Sequence, residues 1–224
     1  GDYTLSEVVI QNAAGERMDI KPFVLEMNLF EGIYQHTMVG NLVITDNSNL
    51  VNLIPLQGNE RLYFRVSTPG ATGIDDIIDA SEDSGHQFIV YRLSERRKVS
   101  NGVHTYILSF GTREHLKNLR TKVSQAYDGE LQSAVLSIIN DKDYLHSSKQ
   151  CFYEPTRNAD KFVVGNKRPF DAIQMICDKA LSKNGKGAGY YFYETTKGFH
   201  FRSWESMVAY QSKTEPDEKS SDII

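Results

Sequence analysis

A chain of 224 residues can hold one large domain or two small ones, and 40% hydrophobic with 11% aromatic content is too rich for a disordered polymer. The formal net charge of −4 argues against a nucleic-acid binder, which presents a basic field. No apolar run approaches the ~18 residues that cross a bilayer, and the N-terminus lacks the charged-then-apolar order of a secretory signal.

The first half is written in period two, and Tyr (12) and Phe (11) against a single Trp suit a sheet. "YTLSEVVIQNA" alternates into a strand, "NAAGE" turns, and "RMDIKPFVLEMNLFEGI" is one long strand or two bent ones, with Pro22 at an edge or bulge. In "MVGNLVITD", Val39, Leu42 and Ile44 make an apolar face interrupted by Gly40, which marks a bulge or a close approach. Asp46 or Ser48 caps a helical turn, "NSNLVNLI", and "LQGNE" returns the chain to the strand "RLYFRVST". The core expected of this module is Leu42, Ile44, Leu50, Leu53, Ile54, Leu62 and Phe64. Residues 68–86 read as a long acidic loop. "QFIVYRLSERRKVS" and "VHTYILSFGT" then meet at Asn101-Gly102, a hairpin signal that pairs Leu93 with Phe110 and Arg97 with Tyr106.

After Gly111 the period changes. "TREHLKNLRTKV" is a short helix behind Thr112, and "DGELQSAVLSIINDKDYL" a second, with Asp128 as its cap and Leu131, Val135, Ile138 and Ile139 on one face. A polar stretch with one aromatic cluster follows, then a short strand, "FVVG". "RPFDAIQMICDKALSK" is a third helix opening at Pro169, and "GAGYYFYETTKGFHFRSW" a hairpin turning at Thr195–Gly198, with Tyr190 and Phe192 on one face and Tyr191 and Tyr193 on the other. The tail "KTEPDEKSSDII" is polar. The fold class is therefore α+β: a small antiparallel β-barrel over residues 1–112, then an α+β domain over 113–224 with two or three helices and a β-hairpin.

Catalytic patterns are missing. Gly185, Gly187 and Gly189 have phosphate-loop spacing but follow a helix and precede a strand, the reverse of the order that aims a helix N-terminus at an anion. The six histidines (36, 86, 104, 115, 146, 200) are single, without metal-ligand spacing. No G-x-S-x-G occurs, and the carboxylate pairs Asp75 with Asp76 and Glu82 with Asp83 sit in the acidic loop, not on a rigid frame. Cys151 and Cys177 make neither a disulfide framework nor a zinc site and read as buried thiols. No catalytic residue, metal or cofactor is expected.

In order, "LFEGIYQHTMVGNLVITDNSNLVNLIPLQGNERLYFRVSTPG", "HQFIVYRLSERRKVSNGVHTYILSFGTREHLKNL", "NKRPFDAIQMICDKAL" and "GAGYYFYETTKGFHFRSW" resemble the baseplate central hub protein of T-even-type contractile-tailed bacteriophages. The N-terminal part of type VI secretion spike proteins is a more distant relative. The resemblance covers residues 24 to 207 and lies in structural positions: Gly40, Leu42, Ile44, Asp46, Asn49-Leu50, then Gly58, Glu60 and Leu62. It implies a structural homotrimer in the virion tail baseplate, assembled in the host cytoplasm, whose ring joins the tail tube protein to the central spike or tail lysozyme protein beside the baseplate wedge proteins. DNA would pass through that ring, so an acidic chain that does not bind it sequence-specifically suits the role. A family hub normally continues into a second barrel, and this chain opens on Gly and ends before one, as a fragment of a longer hub would. Glu60 and, near the hairpin tip, Arg96, Arg97 and Lys98 are the expected subunit-interface contacts. The alternatives are a peptidoglycan-active tail enzyme and a carbohydrate-binding adhesion module built on Phe152, Tyr153 and Tyr190–Tyr193.

Overall fold

The computed structural model describes residues 3–53, 56–67, 77–84, 86–183 and 189–214, with side chains through Ala209. Ile54, Asp75, Asp76, Gly185, Gly187 and most of the polar tail lie outside the described residues. The fold is α+β, in two compact units: Gly1–Gly32 with Thr37–Leu119, and Ile33–His36 with Arg120–Ile224.

The first unit is an eight-stranded sheet of β1 (Thr4–Gln11), β2 (Arg17–Asp19), β3 (Val24–Phe30), β4 (Val39–Asp46), β5 (Glu60–Ser67), β6 (Ile77–Ala80), β7 (Phe88–Ser100) and β8 (Val103–Thr112). The order is β2-β1-β5-β7-β8-β4-β3, all antiparallel, and β6 pairs with the far end of β5. Strict alternation drives it: Gly40, Leu42, Ile44 and Asp46 are buried on β4 while the residues between them are half-buried. Its inner face is one cluster drawn from these strands plus Ile20, Met38 and Leu50. Phe64, Phe88 and Phe110 form its centre, with centroids 5.0 to 5.8 Å apart. Burying each such ring is worth about 2–3 kcal/mol.

Pro22 sits in a 3-10 turn, Lys21–Phe23, and that turn breaks the long predicted strand into β2 and β3. Gly40 marks a close approach: a Cβ there would overlap the Asn28 carbonyl and the Phe110 ring edge, while the β3–β4 pairing runs unshifted past it. Asp46 is the cap of α1 (Leu50–Leu53), its Oδ1 accepting the Ser48 and Leu50 amides, 3.0 Å each. Of the expected core, Leu42, Ile44, Leu50, Leu62 and Phe64 are buried, but Leu53 is 58% exposed. In a helix of only four residues Leu50 turns inward with Val51 packed beside it, and Leu53 is left outside.

The hairpin register also differs from the count. Leu93 faces Leu108 and Arg97 faces Thr105, while Phe110 faces Val90. Register shifts fall between Val90 and Arg92, Ser94 and Arg97, and Lys98 and Ser100, and Glu95 takes a φ of 53° in the second. Each bulge adds one residue to β7, so the turn is right and the pairing slides with distance from it. The chain leaves β8 into α2 (Arg113–Arg120).

The second unit carries two small sheets and α3 (Leu131–Asn140), α4 (Pro169–Cys177) and α5 (Trp204–Thr214). A ribbon pairs β9 (Val123–Glu130) with β11 (Ala159–Lys167), and a second sheet has the order β10-β13-β12, from β10 (Cys151–Tyr153), β12 (Tyr190–Thr195) and β13 (Gly198–Ser203). Pro169 opens α4 as expected. Asp128 does not cap α3: it lies in β9 beside Lys161, and the N-cap position belongs to Glu130. The core joins Leu131, Val135, Ile138 and Ile139 of α3 to Phe170, Ile173 and Ile176 of α4 and to Tyr190, Phe192, Phe199 and Phe201 of the hairpin. Gly198 closes that hairpin at φ +132°, where a Cβ would overlap the Gln150 carbonyl.

Candidate functional site

Among the described residues no three His, Cys, Asp or Glu side chains are placed to hold a metal, and no helix is long and apolar enough to cross a membrane. Burial pushes both the Cys151 and Cys177 thiols up to about 12, which makes them poor nucleophiles. Glu82 is paired with Arg17, both at the surface. The imidazole of His115 packs 5.4 Å from Tyr91 and bonds Thr37 Oγ1 at 3.1 Å, and burial holds its pKa below the ordinary value.

In the second unit the outer face of the three-stranded sheet is aromatic. Phe152, His200 and Tyr193 stand opposite one another across β10, β13 and β12, stacked at centroid distances of 5.1 and 4.8 Å. Their ring faces are turned to one another. The outer edge of β12 is covered by the segment Ile33–His36: His36 Nδ1 donates to the Phe192 carbonyl at 2.9 Å, and Tyr34 packs edge-on against Tyr191. A carbonyl only accepts, so this contact places the proton on Nδ1.

His200 Nδ1 is buried and unpartnered among the described residues, while Nε2 meets Thr195 Oγ1 at 2.9 Å. Burial, then the Arg202 and Lys197 charges, pushes its pKa down from 6.5 to about 4. Between those values the unfolded chain holds the proton and the fold does not, so stability is lost as pH falls through that window. The melting temperature of the second unit, read from Trp204 fluorescence, is expected to fall from pH 6.5 to 4. His200→Phe is expected to flatten that slope, and an unchanged slope would assign it to other groups.

The polar features of the first unit lie at the Gln57–Glu60 turn and on β7. Glu60 is 1% exposed, and its carboxylate accepts the Gln57 and Gly58 amides, so it holds the turn into β5 from within. That turn walls two shallow clefts, one with Asn12, Glu16 and Asn59 and the other with Tyr91, Arg92 and Leu93. Arg96, Arg97 and Lys98 are exposed on β7, where Arg97 lies 3.8 Å from Glu95 and Lys98 bonds Asn101 at 3.3 Å. The fold does not bring Glu60 into that cluster: it faces Val90, on the stretch of β7 that β5 covers. What the sequence pattern did not single out is the sheet edges. β3 ends the strand order, and β5 pairs with only Phe88, Ile89 and Val90 of the 13 residues of β7.

No protein-family model matches the chain, and no curated protein does. Solved structures do. The crystal structure of the 43 kDa tail protein of prophage MuSo2 from Shewanella oneidensis matches 88% of this chain at a TM-score of 0.53 and 8% identity. The fold is similar to that of a phage tail protein. A tail protein from Neisseria meningitidis MC58 matches 89% of the chain at a TM-score of 0.52 and 11% identity. This chain spans about half of each, 54% and 51% of their lengths, and at such identities the tail-protein similarity is one of fold.

Proposed function

We propose that this chain is a structural, non-enzymatic component of a phage tail, acting as a baseplate hub whose copies form a ring of three between tail tube and central spike. The similarity to two tail proteins over nearly the whole chain carries this reading. The first unit serves as the ring-forming barrel. Its core cluster is drawn from its own strands and a few loop residues, which supports a curled sheet. The tail tube protein, the spike or tail lysozyme protein and the wedge proteins are the partners of this role, its place is the virion, and its net charge of −4 suits a wall that DNA passes without sticking.

Light-scattering mass after size exclusion, at two protein and two salt concentrations, tests the ring. A stable mass of three chains is expected, and a monomer throughout would overturn it. A peptidoglycan zymogram of the purified protein is expected to stay uncleared; a cleared band would replace the structural reading with the enzymatic one. For the carbohydrate alternative, Phe152 and Tyr193 each spend one ring face on His200, which leaves less aromatic surface for a sugar to stack on.

A further inference from the structure

We propose that copies of this chain join edge to edge, the outer edge of β3 in one copy pairing with the open edge of β7, from Ser94 to Ser100, in the next. This rests on the ring reading and names its contact.

The two ends of the sheet are unequal. β2 is three residues long, too short to template another strand. β3 has seven residues, with Leu25 65% and Phe30 46% exposed; it carries no Lys, Arg or Pro, and its one register shift against β4 falls at its start, between Val24 and Glu26, which leaves Glu26–Phe30 regular. Such an edge presents a row of backbone donors and acceptors beside apolar side chains, the arrangement that recruits a strand.

The second open edge lies inside the strand order. β7 outruns β5, whose remaining length on that side is taken by β6. Past Val90 the Gln57–Gly58 turn still lies against Tyr91–Leu93, and from Ser94 onward β7 has β8 on one side and, among the described residues, no strand on the other. This stretch carries Arg96, Arg97 and Lys98 against one acid, Glu95, whereas β3 carries Glu26 and no base. Val99 is 67% exposed here.

The charges select the pairing. β7 against its own copy would bring two net-positive strands together, and β3 against itself two net-negative ones; both are less favourable than a pairing of unlike strands. β3 against β7 opposes unlike charges. The bases and bulges of β7, ordinarily protection for an edge, here reject a self-pairing and admit an acidic strand. Because the two edges differ, the contact is heterologous, the kind that repeats around a rotation axis into a ring.

Charge exchange tests this on the whole chain. Glu26→Lys alone, and Arg96→Glu with Arg97→Glu, are each expected to weaken self-association at least about tenfold, and combining all three to restore most of it. In parallel, Leu25→Cys with Val99→Cys is treated at pH 7 with a bismaleimide of about 10 Å reach, three residues of strand, so small register offsets are tolerated. The native thiols, pushed up to about 12, react slowly under these conditions. Linked trimers from the double variant, with only unlinked chains from either single one, are expected. A mass of three chains that ignores the charge variants and yields no links would overturn the edge pairing and leave the ring standing. A wild-type protein that stays monomeric would overturn both.

Discussion

Gly40→Ala is expected to lower the melting temperature of the first unit by about 10 °C, a loss of about 3 kcal/mol. The added methyl would overlap the Asn28 carbonyl on one side and the Phe110 ring edge on the other. Neither obstacle can yield cheaply. Asn28 O belongs to the backbone of β3, and the Phe110 ring is fully buried and wedged between Phe64 and Phe88 at 5.8 and 5.7 Å. Gly32→Ala, with nothing within 4 Å of the new carbon, is the control and is expected to be nearly neutral. In Gly40→Ala with Phe110→Leu, the double variant should lose less than the sum of the singles, since the smaller side chain relieves one overlap. Far-UV circular dichroism melts check all of these, and strict additivity would show that the ring is not the obstacle.

Lys149→Met is expected to destabilise the second unit by about 3–5 kcal/mol, the usual consequence of stripping one partner from a buried ion pair. Lys149 Nζ lies 2.5 Å from Glu194 Oε1, with side chains 8% and 0% exposed, and it also sits 5.7 Å above the Phe199 ring. Glu194 occupies an inward position of β12, in line with Tyr190 and Phe192. Without the ammonium its carboxylate would stand in an aromatic interior. Adding Glu194→Leu to Lys149→Met should recover most of the loss, because an apolar pair of similar size needs no desolvation. Urea titration followed at Trp204, the only tryptophan of the chain, measures this; a single variant as stable as wild type would mean that water reaches the pair.

Where one face of an element is buried, its pattern was readable. β4 alternates cleanly, and Leu42 and Ile44 are buried as expected, while Val39, expected beside them, lies half-buried on the other face because the strand runs without a bulge. The β12–β13 hairpin was likewise legible from Tyr190 and Phe192 alternating with Tyr191 and Tyr193, with its turn at Thr196 and Lys197. β9 was not. Only Val123 and Tyr127 of "VSQAYDGE" are buried, a spacing of four that imitates a helix, and Asp128 then looks like a cap. Nor does β11 advertise its length, since the residues flanking "FVVG" are polar and face solvent or lie half-buried along the ribbon. α5 was missed as well: "WESMVAYQSKT" has little apolar periodicity, with Trp204 and Val208 both about half exposed. The bulges of β7 leave no mark in composition. The contact residues proposed from sequence were read as charges; the property that sets Arg96–Lys98 apart, a strand edge with no partner strand among the described residues, is topological and appears only once the β5–β7 pairing is seen to end at Val90.

The excursion at Ile33–His36 bears on how such a chain can be shuffled between genomes. The polypeptide passes from the first unit into the second after Gly32, returns at Thr37, and crosses again after Leu119. A genetic exchange with a single breakpoint near residue 120 would therefore transplant a second unit without the four residues that seal its β12 edge. His36 would meet a foreign strand in place of the Phe192 carbonyl, and Tyr34 a foreign partner in place of Tyr191. Inheritance of the two units is thus coupled by a short internal segment, and productive recombinants are expected to break before residue 33 or to keep both sides of that seal from one parent.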